Sequence, residues 1–96
     1  MDTIKFEWDE NKNRINQHKH GISFEDAKTV FYDENAILFD DPEHSKEEER
    51  FLIIGITDRE KICIVSHCYR DQEGTIRIIS AREATKNEKK TYTEGW

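Results

Sequence analysis

The chain has no run of the roughly 18 apolar residues that a membrane-spanning helix needs, so no such helix is expected. It has one proline and four glycines, and no repeat or low-complexity linker. A single domain over residues 1–96, with a core of modest size, is the expected organisation. The opening MDTIKFEWDE contains no apolar segment of leader length, so a secretory signal is not expected either. There are two cysteines, Cys63 and Cys68, in one apparent strand. Their odd spacing sends them to opposite faces, which excludes an easy disulfide. They read as reduced thiols packed in the core of a cytoplasmic protein. Base is also short: 15 Lys and Arg face 21 Asp and Glu, a net charge of −6. A non-specific nucleic-acid binder is usually basic overall, so any contact with RNA or DNA must be a local cationic patch. Metal-ligand spacings are missing as well. No H-E-x-x-H or paired C-x-x-C occurs, His18 and His20 are two apart on a helix and diverge, and Glu47–Glu48–Glu49 reads as a solvated run. No metal and no cofactor is expected.

What is present sorts into an α+β pattern. Ile4, Phe6 and Trp8 alternate with Lys5 and Glu7, as in a short strand. Asp9 suits a helix N-cap and Gly21 the position just past the end of a helix over 10–20. That helix is weakly amphipathic. Lys12, Asn16 and Lys19 share one face, and asparagine in mid-helix invites a hydrogen-bonding role. Ser23 can cap a second helix, with Phe24, Ala27, Val30 and Phe31 on its apolar stripe. AILFD at 36–40 is a short strand, and a polar loop-like segment begins at 41. FLIIGITD, KICIVSHCYR and TIRIISAR are apolar, β-branched runs separated by DRE and DQEG, which predicts antiparallel hairpins. Their apolar residues occupy both faces. One face is assigned to the helix pair, and the other needs the C-terminal segment, a partner, or no cover. Ser80…Glu83 and Thr85…Glu88 both fit a capping box for a last, basic helix over about 83–92, carrying Lys86, Lys89 and Lys90. Trp96 is a large apolar group on a polar end.

Charge is uneven. Residues 1–50 carry 14 acidic and 7 basic side chains, and residues 51–96 carry 7 and 8. Within the second half Arg70, Arg77 and Arg82 flank strand-like runs. Fixed cations there either pair with carboxylates, such as Glu49 or Glu83, or hold a phosphate. Period-two alternation puts Arg77 with Ile79 and Ala81 and Arg82 with Ile78 and Ser80. The two arginines therefore converge if the strand stops before Arg82.

Three ordered blocks, FEWDENKNRINQHKHGISFEDAKTVFYD, HSKEEERFLIIG and RIISAREATKNEKKTY, resemble the BrnT family of bacterial toxins, which belong to the RelE-like ribonuclease toxins of type II toxin–antitoxin systems. The resemblance runs from Phe6 to Tyr92. Trp8, Asp9, Lys12, Asn16, Lys19, His20, Gly21, Phe24 and Ala27 carry the first block. His44, Glu49, Arg50 and Gly55 carry the second, and Arg77, Ile79, Ser80, Ala81, Arg82, Ala84, Thr85, Glu88 and Tyr92 the third. It implies a RelE-like domain: strand, two helices, three or four antiparallel strands, C-terminal helix. It also implies an endoribonuclease that inhibits translation. A BrnA-like ribbon-helix-helix antitoxin would neutralise it, and operator DNA would be bound through that antitoxin.

Metal-free RNA cleavage needs a base for the ribose 2′-OH, cations for the phosphate and an acid for the 5′-oxygen. Arg77, Arg82 and Arg70 are the phosphate candidates, and His44 or Glu49 the proton-transfer candidates, with His20 and His67 also present. Arg50, Lys12, Lys19 and Lys86 are candidates for holding the RNA strand. Each also has a structural reading. His20 suits a helix C-terminus, His67 a buried sheet position, Glu49–Arg50 a local ion pair, and the lysines a solvated surface. A reading of another class is a non-catalytic module that forms a regulatory complex with a basic, DNA-binding partner.

Overall fold

The computed structural model describes residues 4–70 and 74–95. The middle three residues of the N-terminal strand-like stretch form β1 (Lys5–Glu7). Helix α1 (Glu10–His20) follows. The Asp9 side chain accepts from the Asn11 and Lys12 amides, and Gly21 closes the helix at φ 73°, a left-handed conformation that glycine adopts without strain. Ser23 caps α2 (Phe24–Ala27), accepting from the Asp26 amide. The expected longer second helix tightens into a 3₁₀ turn over Lys28–Tyr32. Thr29 Oγ1 donates back to Asp26 O at 2.6 Å there, competing with the α-helical ladder. The remaining elements are β2 (Ile37–Asp40), a 3₁₀ turn at Pro42–His44, β3 (Phe51–Ile56), β4 (Ile62–Tyr69), β5 (Thr75–Glu83) and α3 (Lys86–Glu94). No helix among the described residues is long and apolar enough to cross a membrane. The DQEG turn falls largely on residues 71–73, and Trp96 likewise lies outside the described residues.

The five strands make one sheet in the order β1-β5-β4-β3-β2. Strands β2 to β5 pair antiparallel, within the expected three or four, and the first strand joins them as a fifth: β1 adds to β5 in parallel, with Glu7 opposite Arg77. The sheet is therefore mixed. Cross-strand partners share a face, so Phe6, Ile53, Cys63, Val65, His67, Ile78 and Ala81 look toward α1 and α2. With Ile22, Phe24, Ala27 and Val30 they form the main core. Gly55 lies under the 3₁₀ turn. A Cβ there would stand 2.7 Å from Val30 Cγ1, so glycine permits this close approach.

The second face is covered in part by the C-terminal segment. Ile54, Ile64 and Ala84 form a smaller cluster with Phe39, Leu52, Ile62 and Tyr92. Helix α3 itself has no buried residue. Its far end is tied down by Tyr92, whose hydroxyl donates to Asp33 Oδ2 at 2.6 Å. Its N-terminus carries the capping box Thr85…Glu88. The alternative box at Ser80…Glu83 does not form, because Ser80 belongs to β5.

Two buried polar side chains stitch the layers. Asn13 accepts from the Phe24 amide and donates to Glu10 and Glu25, fixing the start of α2 on α1. Asn16 donates to Ile22 O at 2.9 Å and Ala81 O at 2.8 Å and accepts from Ala81 N at 3.0 Å. Its amide thus takes the place of a neighbouring strand at the edge of β5 beyond the end of β1. Lys12 and Lys19, on the same helix, stay exposed.

His67 is fully buried among Phe31, Phe51 and Tyr69, with the Phe31 ring 4.8 Å away. Nδ1 donates to Val65 O at 3.2 Å, while Nε2 is buried without a partner among the described residues. Burial pushes its pKa below the usual 6.5. The unfolded chain then binds this proton more readily than the folded one. Stability is accordingly full above about pH 6.5 and falls as pH drops below it. Urea midpoints measured from pH 7.5 to 5 are expected to decline, and His67→Phe to flatten that decline. An unchanged slope in the variant would place the acid sensitivity elsewhere.

Candidate active site

The register of β5 against β4 changes at one point. Ser66 faces Ser80, but His67 faces Ile78, so Ile79 is an extra residue and a bulge. The bulge switches the alternation. Arg77 lies opposite Cys68 and Arg82 opposite Ile64, and these partners both belong to the second face. The expected divergence of the two arginines is therefore corrected. Strand β5 does not stop before Arg82 but runs on to Glu83. The two arginines share a face because the extra residue absorbs the odd step.

They nonetheless have different surroundings. Arg77 Nη1 donates to Glu7 Oε2 at 2.9 Å. Arg70 lies 3.5 Å from the same carboxylate and 3.8 Å from Glu48. Both arginines are thus compensated by carboxylates, and neither Glu49 nor Glu83 is the partner of Arg77. Arg82 forks onto Glu88, with Nη1 to Oε1 at 2.8 Å and Nη2 to Oε2 at 2.9 Å, and Nη1 also reaches Glu83 O at 3.4 Å. Its expected partner Glu83 instead accepts from Lys89 at 3.0 Å.

Arg82 lines a cleft of about 380 Å³ on the second face. Its floor is Leu52, Ile64, Ser66 and Ser80, and one wall is the 41–50 segment, with Asp41, His44 and Arg50. The segment is closed on itself. Ser45 Oγ donates to Asp41 O at 2.6 Å and accepts from Arg50 N at 3.0 Å, and Asp41 N donates to Arg50 O at 3.0 Å. Pro42 starts its 3₁₀ turn, and the turn brings His44 back over Asp41. His44 Nδ1 stands 3.0 Å from Oδ2 and 3.2 Å from Oδ1. A carboxylate accepts only, so the proton of neutral His44 sits on Nδ1 and Nε2 carries the lone pair. His20 reaches the same cleft, because α1 ends at the open edge of β5 where Asn16 is anchored.

Arg50 differs from the other arginines. Its Nε is buried and has no hydrogen-bond partner among the described residues. Glu48 Oε1 stands 3.8 Å away, beyond hydrogen-bond reach. A buried donor without an acceptor costs about 1–3 kcal/mol, and the residue that carries it lines the cleft.

The structure thus brings together His44, Arg50 and Arg82 of the candidates, with His20. Arg70 and Arg77 lie beside this group in the clamp on Glu7. Glu49 is exposed and lines no part of the cleft. Lys12, Lys19 and Lys86 are exposed. Sequence reasoning missed Asp41 as the partner of His44, although its three-residue offset across Pro42 is a visible signal. It also missed Ser66 and Ser80, which the register alone brings face to face, and Glu88 as the partner of Arg82. Among the described residues no three His, Cys, Asp or Glu side chains gather as a metal centre.

None of the curated proteins compared with the chain matches it significantly. The crystal structure of the Brucella abortus ribonuclease toxin BrnT is similar to it, with a TM-score of 0.65 and 28% identity over 88% of this chain and 100% of that one. The family model described as the ribonuclease toxin BrnT of type II toxin–antitoxin systems matches residues 8–88. That span takes in the whole cleft lining, from His20 to Arg82, and the chain belongs to the BrnT family of ribonuclease toxins.

Proposed function

We propose that the chain cuts RNA in this cleft without a metal, by attack of a ribose 2′-OH on the adjacent phosphodiester. The observation that carries the reading is the Asp41–His44 pair on one cleft wall, with Arg50 and Arg82 lining the same cleft. His44 Nε2 takes the 2′-OH proton, the 2′-oxygen bonds to phosphorus, and the bond from phosphorus to the 5′-oxygen breaks. His20 returns a proton to the leaving 5′-oxygen. Arg50 and Arg82 meet the charge that builds on the phosphate, which is usually the largest catalytic contribution. The phosphate role assigned to Arg70 and Arg77 on sequence passes to Arg50, because Arg50 lines the cleft with Arg82 whereas Arg70 and Arg77 do not. Glu49 gives way to His44 as the base. Lys12, Lys19 and Lys86 act as a diffuse attraction for the strand, within a chain whose net charge of −6 repels RNA elsewhere.

The finer biology follows from the family resemblance. The toxin acts in the cytoplasm and inhibits translation, and its fold is grouped with the RelE-like toxins. A BrnA-like ribbon-helix-helix antitoxin neutralises it, and the complex reaches operator DNA through that antitoxin. The non-catalytic binding module is not favoured by a family of ribonuclease toxins. The test is direct. Purified protein with single-stranded RNA in excess EDTA is expected to give fragments ending in 2′,3′-cyclic phosphate. Intact RNA, or cleavage that starts only on adding a divalent cation and leaves 3′-hydroxyl ends, overturns the mechanism.

A further inference from the structure

We infer that Glu88 is a positioning residue for RNA cleavage, holding the Arg82 guanidinium so that its remaining donors face the phosphate. The inference rests on the cleft being the cutting site. Arginine is a costly group to order, because its long side chain gives up many rotamers. Here the ordering is done before substrate arrives. Both Arg82 Nη atoms donate to the two oxygens of one carboxylate, the fork-on-fork geometry that fixes a guanidinium in plane as well as in place.

Glu88 is itself held by a rigid element. Its Oε1 also accepts from the Thr85 amide at 2.7 Å, and the Glu88 amide donates to Thr85 Oγ at 3.2 Å. Arg82, Thr85 and Glu88 thus form one unit across the junction of β5 and α3. Tyr92 on Asp33 fixes the far end of that helix. The hydrogen bonds from Arg82 keep the Glu88 carboxyl down at about 2, so it remains an ion throughout the physiological range. A guanidinium carries five N–H donors. The carboxylate takes two, Glu83 O faces a third, and roughly two remain. The side chain is still 42% exposed and lines the cleft, so those donors are reachable by substrate.

The same contact has two other readings. Glu88 could compete with phosphate for Arg82, or it could serve α3 alone. Glu88→Gln separates them, because glutamine retains the capping-box role at this helix position while losing the charge and the paired acceptors. If Glu88 positions Arg82, Arg82→Ala lowers kcat by about 100-fold and Glu88→Gln by about 10-fold, as loss of preorganised geometry does. Adding Glu88→Gln to Arg82→Ala then has no further effect. Nitrogen-15 NMR gives a readout free of catalysis. Distinct Arg82 Nη signals in the wild type, from hindered rotation, are expected to merge in Glu88→Gln.

Faster cleavage in Glu88→Gln overturns the inference in favour of competition. An equal fold-loss in both backgrounds overturns it in favour of a structural role. Full activity in Arg82→Ala with an inactive His44→Ala overturns it while leaving the cleft as the site. Full activity in both single variants removes the cleft assignment, and the inference with it.

Discussion

Asn16→Ala is expected to cost about 3–5 kcal/mol of folding stability. The side chain is 6% exposed and makes three hydrogen bonds to backbone groups. Truncation leaves Ile22 O, Ala81 O and Ala81 N–H without partners. Each such group costs about 1–3 kcal/mol when no water reaches it. A domain of this size has about 5–15 kcal/mol to lose, so the variant sits near its unfolding threshold. The better helix propensity of alanine, worth about half a kcal/mol, offsets little. Urea unfolding should show a much lower midpoint with an unchanged slope. Asn16→Asp sharpens the test. It keeps an acceptor for Ala81 N–H but sets a carboxylate oxygen against two carbonyl oxygens, so it should be no more stable than the alanine variant. A loss under about 1 kcal/mol in Asn16→Ala would mean that water replaces the amide.

The same residue shows what the sequence makes legible. An asparagine in the middle of a helix is a poor local choice, and that misfit signals a bond to something distant. The ends of α1 are equally readable, because Asp9 and Gly21 act on backbone groups within one turn. The three central strands follow from β-branched runs broken by polar turns. What stays hidden depends on register. Nothing in TIRIISAR marks Ile79 as the bulge, since isoleucine suits any strand position. Yet that residue decides that Arg77 and Arg82 share a face. The clamp of Arg77 on Glu7 joins residues far apart in the chain through a three-residue parallel strand, a pairing that local pattern does not specify. The site lies between these extremes. Its arginines drew notice as cations out of place in an acidic chain. Their partners did not, because carboxylates are abundant enough here that choosing among them requires coordinates.

His44→Ala is expected to lower RNA cleavage by about 10²–10⁴-fold, the usual worth of a positioned general base. Stability should barely change, because the side chain is 62% exposed and its partner Asp41 lies in the same turn. A melting curve matching wild type would therefore accompany the loss. Added imidazole should restore part of the rate in the alanine variant, since the cavity left behind opens on the cleft. Asp41→Asn probes the orientation separately. Its amide nitrogen can donate to Nδ1, which moves the histidine proton to Nε2 and blocks the atom that accepts from the 2′-OH. The turn closure by Ser45 uses the Asp41 backbone carbonyl and survives this change. The rate should thus fall with the segment still folded. His44→Ala within about threefold of wild type would remove the base from this wall. Catalysis would then rest on charge stabilisation by Arg50 and Arg82 with His20 as the acid, and without general-base help from His44.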